Sequence, residues 1–186
     1  MGTDHVGIKV LKKSKLPDPI KEPTHKRKRE IYGLYKVIWG TEFELIKKRT
    51  LLTCSFAYEP WGWRVVKISE NAIREIAKND FKKPSGKLCR DHSVPRKDTY
   101  NKMLKTTGIM PFDKWWKLFW GNDKTVLMTN DEHKLVGQTP KIGLSKLYRL
   151  DWKKGYFQNN NLVGWKHRKT IEGEFVRKLC ADKNIN

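Results

Sequence analysis

Two short stretches of the chain carry residue types whose order suits hydrolytic chemistry. The first, Leu88-Cys89-Arg90-Asp91-His92-Ser93-Val94-Pro95-Arg96, sets a carboxylate beside an imidazole at the end of a short apolar run, just before a proline that stops a strand. Neighbours on a strand point to opposite faces, so the pair serves one site only at the strand's mouth, where pleating relaxes into a loop. There one group holds a cation and the other takes a proton from water. The second stretch runs from Gly121 to Lys134. Thr125 to Met128 is β-type, and Thr129 with Glu132 three residues later forms a capping box that predicts a helix from Thr129. His133 falls on its first turns, where a rigid element lets it present one ring nitrogen to a cation while an acceptor orients the other.

An Asp-His pair alone is more often structural than catalytic, and a single histidine on a helix is usually a surface residue. Joint occurrence alters that balance. The chain has five histidines, and two of them fall in these contexts. His5 and His25 lie near the N-terminus and His167 in a basic cluster, none with a ligand-spaced partner.

Between the two stretches, Tyr100, Met103 and Leu104 predict one short helix, and Pro111 opens a second. In the second, Phe112, Trp115, Trp116, Phe119 and Trp120 recur at helical spacing and form a core stripe that buttresses the motif strands. Upstream, the aromatic and β-branched runs Ile31 to Trp39, Leu51 to Tyr58 and Trp61 to Ile68 predict two to four strands, with Pro60 and Gly62 marking a turn. Ser69 caps a helix that carries Ile73, Ile76 and Ala77 on one face and ends near Asp80. Downstream, Phe175, Val176 and Leu179 belong to a final helix.

The 186 residues carry 40 Lys+Arg against 20 Asp+Glu, a net charge of +20, with a hydrophobic fraction of 38%. Such a surface repels itself without a polyanionic partner, and nucleic acid is the expected one. The excess is +10 over residues 1–87, +3 over 88–137 and +7 over 138–186, so a nearly balanced centre lies between basic flanks. That distribution assigns chemistry to the middle and phosphate contact to the ends. No apolar stretch approaches a membrane span, and Met1 to Lys15 lacks a signal peptide's apolar region, so an intracellular, cytoplasmic protein without membrane partner is expected. Cys54, Cys89 and Cys180 are odd in number and far apart, which argues against a disulfide framework or a paired-cysteine zinc site.

Strand with Asp-His, connection, strand preceded by Asn, then helix with His: this order resembles the HNH, or ββα-metal, endonuclease motif over Leu88 to Gly137. The Asp-His-x-Val-Pro opening and the Thr-x-x-Glu-His helix start carry the resemblance. It implies a ββα-metal (HNH) motif, and with the residue patterns above the expected fold is α+β: that motif with a helical insertion, preceded by a small β-rich region and flanked by basic arms. The organisation expected is a basic, flexible arm over residues 1–30, a β-rich region plus one helix contacting DNA over 31–87, the nuclease core over 88–137, and a basic DNA-contacting region over 138–186.

The resemblance further implies that His92 is the general base, that Asp91 and His133 hold a divalent cation, Mg²⁺ or else Mn²⁺, and that Asn122 braces the loop. Asn122 stands further from His133 than the family's asparagine does, and Asp123 is the alternative for that role. No small-molecule cofactor is implied. Arg90 and Arg96 are candidate phosphate clamps. Trp152 to Phe157 and Gly164 to Lys169 interleave aromatics with cations, a pattern that suits phosphate contact plus stacking, and Lys166, Arg168 and Lys169 are the candidate nucleic-acid contacts. The expected activity is metal-dependent cleavage of duplex DNA, most simply by a restriction-type enzyme acting as a homodimer. A nicking or homing nuclease and a non-catalytic basic nucleic-acid-binding protein are the alternatives, and RNA is the alternative substrate.

Overall fold

The computed structural model describes residues 19–57, 59–136, 145–158 and 165–185, with the side chains of 165–169 excepted. Among these, seven α-helices pack with one mixed sheet of four short strands, an α+β arrangement. The elements are α1 (His25–Gly40), α2 (Leu45–Ala57), β1 (Arg64–Ser69), α3 (Glu70–Lys78), β2 (Leu88–His92), α4 (Arg96–Leu104), α5 (Phe112–Asn122), β3 (Lys124–Thr129), α6 (Asn130–Val136), β4 (Leu147–Arg149) and α7 (Trp165–Lys183). No described helix is long and apolar enough to cross a membrane.

The sheet order is β2-β3-β1-β4. β2 and β3 pair antiparallel, β1 and β3 run parallel, and β4 closes the far edge antiparallel to β1. The sheet therefore draws one strand from residues 31–87, two from 88–137 and one from 138–186, and the three stretches share a single layer.

Two apolar clusters hold this frame. In the first, α1, α2, α4 and α5 meet around Tyr35, Phe56, Trp61, Tyr100, Trp115 and Phe119. Phe56 stacks on Phe119 at 3.9 Å between ring centroids and Tyr35 on Trp115 at 5.5 Å. The expected α5 stripe is thus core at Trp115 and Phe119, with Phe112, Trp116 and Trp120 partly buried against it. In the second, Val65 and Ile68 of β1, Leu127 of β3 and Tyr148 of β4 are covered by α3 through Ala72, Ile73 and Ile76, and by Val176 of α7.

Three expectations are corrected. Residues 31–57 do not form strands: Ile31, Tyr35 and Ile38 are the buried positions of α1, and Leu52 and Phe56 those of α2. Their spacings of three and four residues place them on one helical face, and packing against α5 outweighs the strand preference of individual β-branched and aromatic residues. The basic run Lys26-Arg27-Lys28-Arg29 lies within α1, not in an arm. Thr24 caps that helix by accepting the Arg27 amide at 3.2 Å, and Arg27 pairs with Glu30 and Glu59. Residues 1–18 of the expected arm lie outside the described residues. In the basic tail, Phe157 is buried and Tyr156 stacks on Phe175 at 4.7 Å, so these aromatics serve the core and not a contact surface.

Candidate active site

The strand, helical insertion, strand and helix expected over residues 88–137 are realised as β2, α4–α5, β3 and α6. Thr129 and Glu132 start α6 as the capping box requires. Thr129 Oγ1 accepts the Glu132 amide at 3.2 Å, and Glu132 Oε2 accepts the Thr129 amide at 2.9 Å. Glu132 is also buried and does more than cap: its carboxylate accepts from Ser69 Oγ at 2.6 Å and from Ser145 Oγ at 2.5 Å. Burial pushes this carboxyl up, but the hydrogen bonds from Ser145, Ser69 and Thr129 outweigh it and hold it below the usual carboxylate range. The helix carrying His133 is thereby fastened to the ends of β1 and β3 and to the approach to β4.

His133 Nδ1 lies 3.6 Å from Asp91 Oδ1, with His133 half exposed and Asp91 more sheltered. Two ligands each about 2.1 Å from a shared cation stand roughly 3 to 4 Å apart, so the pair fits one divalent ion on both distance and donor type. Among the described residues no third His, Cys, Asp or Glu joins them, and water would complete the coordination.

His92 has different company. β2 remains paired through its last residue, with Asp91 opposite Val126 and His92 opposite Thr125. The two side chains therefore leave opposite faces of the strand, and the expected relaxation of the pleat does not occur before His92. Asp91 turns towards α6. The His92 ring turns towards Trp63, edge-on with centroids 6.4 Å apart, and its Nε2 lies 3.7 Å from Oδ1 of the buried Asp123. That nitrogen is buried without a hydrogen bond.

Asp123 is the C-cap of α5. Its Oδ2 accepts the Trp63 backbone N–H at 2.9 Å and lies 3.9 Å from Nη1 of the buried Arg64. Arg64 in turn lays its guanidinium 3.4 Å from the centroid of the Trp120 ring and donates to Trp120 O at 2.5 Å. Burial pushes Arg64 down to about 10, opposed by Asp123. Asn122, one residue earlier, is directed elsewhere: its Nδ2 donates to Thr99 Oγ1 at 3.1 Å, tying α5 to α4. Of the two candidates for the bracing role, Asp123 is the one that faces His92.

Arg90 and Arg96 flank the site as expected, their guanidiniums 5.6 and 4.1 Å from the centroid of the Trp63 ring. The side chains of Lys166, Arg168 and Lys169 lie outside the described residues, although their backbone begins α7. Sequence reasoning missed Trp63 and Arg64. The only local signal was the Trp-Gly-Trp turn at 61–63, and what brings it to His92 is the parallel register that sets Arg64 beside Lys124.

In comparisons with known proteins, no family model, no curated protein and no solved structure matches the chain.

Proposed function

We propose that this protein is a metal-dependent endonuclease of the HNH kind that hydrolyses phosphodiester bonds of duplex DNA. The observation that carries the reading is the approach of Asp91 and His133 to 3.6 Å across β2 and α6, in a strand–strand–helix order. A divalent cation such as Mg²⁺ or Mn²⁺ bound there supplies relief of negative charge on the phosphate. The chain's own residues supply the rest. With a carboxylate facing Nε2, the tautomer protonated on Nε2 is favoured, and Nδ1 is left as the acceptor that takes a proton from the attacking water. Arg90 and Arg96 stand at the Trp63 ring, which meets that imidazole edge-on, as cations for a backbone phosphate. The net charge of +20 favours a polyanion throughout.

One site per chain acting on a two-fold symmetric duplex calls for paired sites, so a restriction-type enzyme would cut both strands as a homodimer. The test is incubation of the parent and His92→Ala with supercoiled and linear duplex DNA in Mg²⁺, Mn²⁺ or EDTA. Cutting is expected only with metal, and the variant should lose about 10²- to 10⁴-fold in rate with binding retained. Equal cutting by both proteins would overturn the role of His92. Binding without cutting under every condition would replace the enzyme by a nucleic-acid-binding protein.

A further inference from the structure

Trp63 is the one residue at this site with a left-handed backbone, φ 55°. A bulky non-glycine residue adopts that conformation only where its surroundings over-determine it, and such positions gather at functional sites. The surroundings here are explicit. Asp123 Oδ2 accepts the Trp63 N–H at 2.9 Å, and the Trp63 carbonyl accepts from Thr125 Oγ1 at 3.2 Å, so both peptide groups are pinned to the start of β3. The preceding residue must be glycine, since a Cβ on Gly62 would lie 2.5 Å from the Phe56 carbonyl oxygen. The chain is forced into this turn, and the result is an indole set edge-on to His92 with two guanidiniums near its ring.

Four buried nitrogens in this cluster make no hydrogen bond. His92 Nε2 and Arg64 Nη1 each lie within 4 Å of Asp123, which leaves indole Nε1 of Trp63 and Nη1 of Arg96. A buried, unpaired N–H is costly, and a guanidinium more so, unless the site is built for an acceptor that arrives from outside. A phosphate, with two nonbridging oxygens, offers an acceptor to each. An unpaired nucleobase is the weaker fit, because the indole ring is already engaged by cations.

We propose that Trp63 and Arg96 form a phosphate subsite beside His92, in which the indole ring orders the guanidinium and the indole N–H shares with Arg96 Nη1 the nonbridging oxygens of one backbone phosphate. This rests on the nuclease reading only in taking a phosphodiester as the ligand. Trp63 acts by binding and positioning, and takes no proton.

The experiment is binding of a 12-base-pair duplex in EDTA, followed by anisotropy over a range of salt, for the parent, Trp63→Phe and Arg96→Gln. Phenylalanine keeps a ring under the guanidinium and removes the N–H. Trp63→Phe is expected to weaken binding about 10-fold at every salt concentration with the salt slope unchanged, because a donor is lost and no cation. Arg96→Gln should weaken binding and flatten the slope by about one. In the ¹⁵N-labelled parent, the indole N–H resonance of Trp63 should move on titration with the duplex, a readout that needs no variant should Trp63→Phe fail to fold. Parental affinity in a folded Trp63→Phe protein, or an unmoved resonance, would overturn the subsite. Binding as expected without cutting in Mg²⁺ or Mn²⁺ would overturn the nuclease and leave the subsite standing. Cutting that depends on His92, with Trp63→Phe binding as the parent does, would do the reverse.

Discussion

His92 and its neighbours divide labour between two nitrogens and two carboxylates. Asp91 faces His133, whereas Asp123 faces His92, and only the second carboxylate is deeply buried. A buried carboxylate opposite one ring nitrogen fixes ring orientation and proton placement, and losing such a partner typically costs about 10- to 100-fold in activity. Asp123→Asn is therefore expected to slow cutting by that factor, measured as initial rate on supercoiled DNA, and a rate within twofold of the parent would remove Asp123 from the mechanism. Asn122→Ala is the contrast. It deletes one hydrogen bond to Thr99, so it should cost about 1 kcal/mol and lower Tm by about 2 to 4 °C, with little change in rate.

At the scale of elements, α6 is only seven residues long, too short to be stable by itself. What fixes it is Glu132, which ties its first turn to Ser69, Thr129 and Ser145. Glu132→Ala leaves the buried Ser69 and the part-buried Thr129 and Ser145 without their acceptor and should cost about 2 to 4 kcal/mol, read as a lowered denaturation midpoint. The capping pattern that starts α6 was visible in the sequence, as were the Ser69 cap of α3 and the α5 stripe, because each is a local pattern of a few residues. Residues 31–57 were misread because single-residue preference was weighed above spacing, although Ile31, Tyr35 and Ile38 keep a helical period. The candidate site was legible in the same uneven way. Asp91, His92 and His133 announce themselves by local context, whereas Trp63, Arg64 and Asp123 meet through β1–β3 pairing between residues about sixty positions apart, which no local pattern encodes.

The molecule as a whole carries +20, and every carboxylate that gains a proton adds to its self-repulsion. Glu70 is held below its ordinary value of 4.5 by hydrogen bonds from Arg74 and then Tyr148, and Glu75 by Lys87 and then Lys78. The native pKa is depressed in both, so what they contribute to stability is complete above about pH 4.5 and is lost as pH falls through the lowered native values. Thermal melts of the parent should accordingly fall from pH 5 to pH 3. The deficit of Glu70→Gln relative to the parent should shrink over the same interval, and a constant deficit would exclude this linkage.

The parallel pairing of β1 with β3 has a consequence for cooperativity. Asp123 arrives at His92 from the end of α5, whose core is the aromatic cluster, whereas α6 and His133 are fastened to strands whose core lies under α3 and α7. The site sits on the seam between two packing units. Opening of either one, at a fraction of the free energy of global unfolding, separates the parts of the site while most of the chain stays folded. Its working population is set by the weaker of the two units.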